Sequence, residues 1–106
     1  MRTILVTLLL LAAPAAARAV DGKAVFLENC ASCHGDDGKA DTELGRKYMA
    51  QDLTSPKLAK ELDQAKVKRV VERGVKDTKM KGWKGELKQE EIEAVSRYVT
   101  TAFLKK

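Results

Sequence analysis

Apolar residues in this chain recur at helical spacing, most clearly in its C-terminal segment. From about Lys88 onward, Ile92, Val95 and Val99 return every three or four residues, which places them on one helix face. Glutamates near the start of this segment suit the positive end of a helix dipole. No run alternates apolar and polar residues in the way that a half-buried strand requires. The pattern therefore predicts an all-α fold.

Capping residues mark two more main helices. Asp21 can cap the first, in which Gly22 and Phe26 share one face, and Asp63 can cap the second, which Gly74 ends. The apolar stripe of the second helix consists of Val67, Val70 and Val71. A glycine within a helix costs up to about 1 kcal/mol relative to alanine. We therefore expect another helix to approach the first one closely at Gly22.

The remaining segments are predicted to be short helices and loops. Ser55 and Pro56 form a favourable helix start. Residues 35–45 are polar and punctuated by glycine, and residues 74–85 have no helical or strand period, so both are predicted to be loops. The predicted architecture has three main helices and one or two short ones.

The first nineteen residues have the layout of a secretory signal peptide. A positive start at Arg2 is followed by an apolar run over residues 4–13 and by small residues around Ala19. This run is too short to span a bilayer, which needs about 20 residues. The sequence predicts a signal peptide over 1–19, one mature domain over 20–106, a periplasmic location and no stable membrane insertion. An uncleaved membrane anchor is the alternative.

Charge and composition narrow the function further. Loss of Arg2 and Arg18 with the leader would lower the formal net charge from +5 to +3, a surplus too small to indicate nucleic-acid binding. A domain of this size buries a limited core and often needs a bound group for stability. Its aromatic residues are Phe26, Tyr48, Trp83, Tyr98 and Phe103. So few aromatic side chains indicate that a large apolar cofactor completes the core.

The segment Cys30-Ala31-Ser32-Cys33-His34 carries the strongest chemical signal in the chain. The pattern C-x-x-C-H is typical of covalent haem attachment. Two thiols three residues apart at a helix end can each add to one vinyl group on the same edge of a porphyrin. The imidazole of the next residue then reaches the iron. The motif predicts one haem c, bound through Cys30 and Cys33 and ligated by His34.

Three other kinds of site are compatible with two cysteines. A closed zinc site needs four ligands, and no second Cys or His pair accompanies the motif. A thioredoxin-like redox pair would require strands and a βαβ unit around it. A structural disulfide in an exported protein is the third alternative. The C-x-x-C-H pattern favours haem attachment over all three.

With these residues the chain resembles a bacterial class I cytochrome c, over essentially its whole mature length. The resemblance rests on the following positions: Gly22, Phe26, Cys30, Cys33, His34, Asp52-Leu53-Thr54, Met80, Val95 and Tyr98. It implies three to five helices around one haem, single-electron transfer, and a crossing of the first and last helices at Gly22, Phe26, Val95 and Tyr98. Two positions depart from the family pattern. Lys81 follows Met80 where proline is common, and Lys88 stands near the usual Ser or Thr cap, at a cost of about 1 kcal/mol.

The second axial ligand is predicted to be a methionine. His34 is the only histidine of the chain, and methionine paired with histidine is the ligation used in cytochromes c. Met1 leaves with the signal peptide, which leaves Met49 and Met80. Met80 lies in an unpatterned, lysine-rich loop, where a thioether has little reason to be unless something inside holds it. Met49 lies beside Tyr48 and is expected to be a packing residue. Met80 is therefore the predicted ligand.

These features together predict a soluble, monomeric electron carrier and not an enzyme, because no acid/base pair stands out beyond the ligands. A five-coordinate haem protein that binds small gases and a small haem peroxidase are the alternatives.

The candidate hydrogen-bond partners of the haem propionates are Arg46, Tyr48 and Trp83, since buried carboxylates need donors.

The loop that contains Met80 also predicts how partners dock. Residues 76–88 hold five lysines against Asp77 and Glu86, a local excess of +3. A basic rim would steer redox proteins with acidic docking surfaces. The alternative is that these lysines only keep a surface loop soluble.

Overall fold

The computed structural model describes residues 2–7 and 19–105, and these residues form six helices and no extended strand. The helices are α1 (Gly22–Asn29), α2 (Ala31–His34), α3 (Glu43–Tyr48), α4 (Pro56–Glu61), α5 (Gln64–Arg73) and α6 (Gln89–Ala102). The all-α prediction is confirmed. The three longest helices, α1, α5 and α6, are the three main helices expected from the sequence. There are three short helices, whereas the sequence predicted one or two.

Helix α1 crosses α6 at Gly22, as the sequence predicts. A β-carbon at this position would overlap the carbonyl group of Ala94, so only a glycine lets the two backbones come this close. The ring of Phe26 packs against Tyr98, with centroids 5.6 Å apart, and Val95 is fully buried beside them. The crossing implied by the resemblance is therefore present.

The core lies between these helices. Phe26, Ile92 and Val95 have at most 1% of their surface exposed. Helix α5 contributes Val67 and Val71 from its apolar stripe and packs along α6. Several half-buried residues surround this core: Cys30, Leu53, Leu62, Trp83, Leu87, Tyr98 and Ala102.

Side-chain caps fix where the main helices begin. The Asp21 carboxylate accepts a hydrogen bond from the backbone N–H of Lys23 at 3.0 Å, and the Asp63 carboxylate accepts one from Lys66 at 2.9 Å. At α6 the Glu91 carboxylate accepts from the backbone N–H of Lys88 at 3.0 Å. This contact is one half of a capping box, and it partly replaces the missing Ser or Thr cap.

One predicted loop is shorter than expected, because α3 begins inside residues 35–45. The Thr42 hydroxyl accepts a hydrogen bond from the backbone N–H of Gly45 at 2.8 Å and so caps this helix. Gly45 is buried and lies against the carbonyl group of Cys33. A tertiary contact with the cysteine segment thus favours a helix that has little apolar periodicity of its own.

Most of the predicted signal peptide, residues 1 and 8–18, lies outside the described residues. Within the described part of the chain, no helix is long and apolar enough to cross a membrane.

Replacing Gly22 with alanine should destabilise the protein by about 1–3 kcal/mol, because the new methyl group would push α1 away from the Ala94 carbonyl. The helix propensity gained, at most about 1 kcal/mol, is too small to offset this strain. Urea unfolding of the purified protein would measure the change. Gly85→Ala is the matched control, since nothing lies within 4 Å of a β-carbon there, and we expect a change below about 0.5 kcal/mol. Equal stability of the two variants would contradict the close crossing.

Candidate functional site

The two cysteines lie at the junction of α1 and α2. Cys30 follows the last residue of α1, and its backbone N–H donates to the Phe26 carbonyl at 2.8 Å. The next turn closes when His34 N–H donates to the Cys30 carbonyl at 2.9 Å. Both thiols are free and half-buried. The α1–α6 crossing therefore fixes the backbone from which both thiols and the imidazole project.

The Cys30 thiol is held in its neutral form. Burial, and secondarily the neighbouring Cys33, raise the pKa of Cys30 to about 11. The described residues contain no group of three or more His, Cys, Asp or Glu side chains that could hold a metal ion, so they offer no complete set of four zinc ligands.

The His34 imidazole is oriented by a backbone carbonyl. Its Nδ1 lies 3.0 Å from the carbonyl oxygen of Gln51. Because a carbonyl only accepts, Nδ1 must carry the proton in this contact, and Nε2 keeps its lone pair. Burial lowers the pKa of His34, and the hydrogen bond to Gln51 opposes part of that effect. The arrangement thus provides a neutral imidazole with one nitrogen available to a metal ion.

Thr42 ties the cysteine segment to the helix that follows it. Its hydroxyl lies 2.8 Å from the Cys33 carbonyl, to which it donates, and it accepts from Gly45 N–H. One side chain therefore holds the end of α2 against the start of α3.

The loop that carries Met80 folds back onto the end of α5. Gly74 ends this helix with a φ of +71°, and a β-carbon there would lie 2.5 Å from the Met80 carbonyl oxygen. Val75 N–H donates to that same carbonyl at 2.9 Å, and Trp83 N–H donates to the Val71 carbonyl at 2.8 Å. Backbone contacts therefore hold the loop in place without the proline that often follows the methionine.

The two candidate methionines differ in exposure. Met80 is half-buried, whereas 87% of Met49 is exposed. The expectation that Met49 is a packing residue is wrong. It follows the last turn of α3 with a left-handed backbone, φ +54° and ψ +46°, and its side chain reaches solvent.

The three candidate propionate donors have different surroundings. Arg46 forms an ion pair with Asp41 on the surface, with 63% of its side chain exposed. Trp83 is half-buried against the core, and the Lys81 ammonium lies 4.5 Å from its ring centroid. Tyr48 lies between α3 and the Met80 loop, and its ring centroid is 5.4 Å from the ammonium of Lys47 and 5.7 Å from that of Lys79. Of the three candidates, Tyr48 therefore has a lysine ammonium near it from α3, that of Lys47, and another from the Met80 loop, that of Lys79.

A cavity of about 390 Å³ opens beside Tyr48. It is lined by Lys47, Tyr48, Met49, Asp77, Thr78 and Lys79. The lining combines two ammonium groups and a phenol with one carboxylate, that of Asp77, so its formal charge is +1.

Three features of this site were not predicted from the sequence: the Gln51 carbonyl, the Thr42 tie and the role of Lys47. An N-cap signal was available for Thr42, since glutamate follows it in the first helical turn. A backbone acceptor such as Gln51 leaves no signature in side-chain type. The position of Lys47 depends on which segments meet in space.

Residues 17–99 match the family model described as cytochrome c oxidase, cbb3-type, subunit III. Among curated relatives, the chain is 35% identical over 81 residues to the cbb3-type cytochrome c oxidase subunit FixP of Bradyrhizobium diazoefficiens. The alignment covers 76% of this chain but only 26% of that protein. It is 37% identical over 79 residues to cytochrome c6 of Cladophora glomerata, which aligns 74% of the chain with 82% of the relative.

The solved structures that superpose on this chain include small c-type cytochromes. The KustC0563 c-type cytochrome superposes with a TM-score of 0.70 at 26% identity, over 82% of this chain and all of that one. Cytochrome c6C from Synechococcus sp. PCC 7002 superposes with a TM-score of 0.61 at 27% identity, over 78% of this chain and 94% of that one. From its sequence, its helices and these relatives, the chain belongs to the cytochrome c family.

Proposed function

We propose that this chain is an exported, periplasmic single-electron carrier. It binds one haem c covalently through Cys30 and Cys33, with His34 and Met80 as the axial ligands. The observation that carries the proposal is the His34 contact. Its Nδ1 is committed to the Gln51 carbonyl, 3.0 Å away, so that Nε2 of a neutral imidazole is available beside two free thiols.

The residues present fit a haem. Two free thiols three residues apart, followed directly by an imidazole, form the C-x-x-C-H pattern that is typical of attachment to one porphyrin edge. Half-buried apolar side chains such as Leu53 and Trp83 lie at the border of the core, where a large apolar group would cover them. When bound, the haem supplies an iron that gains and loses one electron. The chain's part is to hold the ligands still, so that little reorganisation accompanies the change in charge.

Met80 is supported as second ligand by its setting. The thioether is half-buried in a loop that backbone hydrogen bonds fix to α5, whereas Met49 lies on the surface. A ligand on a restrained loop remains in place in both oxidation states. The FixP and cytochrome c6 relatives support electron transfer as the general activity. FixP is about four times longer than the aligned part, so its role in an oxidase is not transferred to this chain.

The cavity beside Tyr48 is the proposed location of the haem propionates. Lys47 and Lys79 supply two positive charges there against the one carboxylate of Asp77, and the Tyr48 hydroxyl can donate a hydrogen bond. Arg46 is not part of this proposal, because Asp41 already neutralises it at the surface.

Covalent attachment is the first test. Acid-acetone extraction should leave the colour with the protein, and the intact mass should equal the chain beginning at Val20 plus one haem. Cys30→Ala with Cys33→Ala should abolish attachment, whereas Ser32→Ala, a change at an exposed position between them, should not. Colour that leaves with the solvent would end the proposal. A mass that retains residues 1–19 would contradict cleavage alone.

Met80→Ala should open the sixth coordination position and make the ferric protein high-spin or water-ligated. The readout is loss of the weak charge-transfer band that methionine-ligated ferric haem shows. Met49→Ala tests the other candidate methionine and should leave the band unchanged, because 87% of Met49 is exposed. If the band is absent from the parent protein and carbon monoxide binds readily to its reduced form, the five-coordinate alternative is correct.

The lysines near Met80 are the proposed docking surface for acidic redox partners. The structure shows that they are not equivalent. Lys81 is paired with Glu86 at 2.9 Å, and Lys79 lies near the Tyr48 ring. Lys76 and Lys84 are exposed. Substitutions at Lys76 and Lys84 therefore test steering without disturbing Tyr48.

The second-order rate of electron transfer with an acidic redox protein should fall as salt rises from 0.01 to 0.1 M, since the screening length shrinks from about 30 to about 10 Å. Lys76→Glu with Lys84→Glu should slow the reaction about tenfold at low salt and flatten the salt dependence. Lys57→Glu with Lys60→Glu on α4 changes the net charge equally and is the control. Equal slowing by both pairs would show that net charge, and not this surface, controls the rate.

A further inference from the structure

The aromatic ring at the end of α6 contacts the loop that follows His34. Phe103 is 8% exposed and lies against Gly38, where a β-carbon would be only 2.8 Å from the Cδ1 atom of the ring. The same ring packs against those of Phe26 and Tyr98, at centroid distances of 5.2 and 5.6 Å. Because these rings form part of the α1–α6 core, Phe103 is a fixed surface for Gly38.

Gly38 belongs to a tight loop that starts at His34. The Ala40 N–H donates to the His34 carbonyl at 2.7 Å, and the Gly38 N–H donates to the Gly35 carbonyl at 3.0 Å. Gly38 has a φ of +77°, a conformation that glycine adopts readily. The loop thus has a defined shape, and it contacts the Phe103 ring at Gly38.

The same loop holds the segment that orients the imidazole. The Gly38 carbonyl accepts a hydrogen bond from Leu53 N–H at 2.7 Å. Two residues earlier, the Gln51 carbonyl accepts the bond from His34 Nδ1. Segment 51–53 is therefore fixed at two points, one at the loop and one at the imidazole. A shift of Gly38 would move the carbonyl to which His34 is bound.

We infer that Phe103 is a positioning residue for His34. Its ring fixes Gly38, Gly38 fixes segment 51–53, and the Gln51 carbonyl sets the plane of the imidazole and the strength of its Nδ1 hydrogen bond. The inference rests on the proposed function, in which His34 ligates the haem iron. A shorter Nδ1–H···O bond makes the imidazole a stronger electron donor, which favours the ferric state over the ferrous state. Loss of the Phe103 ring would weaken this bond and so raise the reduction potential.

The test uses the full haem-loaded protein. Phe103→Leu removes the flat ring but keeps an apolar side chain, and it should raise the reduction potential and shift the haem-methyl proton resonances of the ferric form. Phe103→Tyr keeps the ring, and its reduction potential and haem-methyl resonances should equal those of the parent protein. Leu104→Ala is the control, because Leu104 is equally buried, at 7% exposure, in the same core. It should lower stability without moving the potential or the resonances.

Each outcome decides the question. Unchanged potential and resonances in Phe103→Leu, with a loss of stability like that of Leu104→Ala, would reduce Phe103 to ordinary packing and overturn the inference. If Phe103→Leu fails to take up haem while Leu104→Ala takes it up normally, the ring is needed to form the His34 site, as inferred. Failure of both variants would indicate general core damage and count against the inference. A parent protein without covalent haem would instead refute the proposed function.

Discussion

The close contact between α1 and α6 at Gly22 is the constraint on which the rest of the structure depends. Without a β-carbon at Gly22, the backbone of α1 rests against the Ala94 carbonyl, and Phe26 is enclosed by the rings of α6. The last turn of α1 then leads directly into Cys30. Two turns of α1 therefore connect the crossing at Gly22 to Cys30, with no loop between them.

The site is assembled from segments that have little stability alone. Helices α2 and α3 have four and six residues, and isolated helices of that length do not persist in water. They are held by hydrogen bonds between segments, such as the one that Thr42 donates to the Cys33 carbonyl and the one that His34 donates to the Gln51 carbonyl. The apolar core is small, and several of its border residues are half-buried. A bound haem would therefore contribute to stability as well as to electron transfer.

Much of the fold could be predicted from the sequence, because the main helices have local signals. The caps at Asp21 and Asp63, the apolar period of α6 and the glycine at position 22 each reflect interactions within a few residues or a single crossing. Helix α3 was missed because a threonine cap and a contact with Cys33 stabilise it, and neither produces an apolar period. The orientation of Met49 was also missed. It depends on a left-handed residue at the end of α3, and residue type did not indicate that conformation.

The exposure of Met49 has a chemical consequence for preparations of this protein. A thioether that is 87% exposed reacts with peroxide before one that is half-buried, as Met80 is. The first sulfoxide should therefore form at the surface, beside the Tyr48 cavity and outside the Met80 loop. Addition of a single oxygen atom to the mass of an aged sample would then not imply damage to the buried thioether.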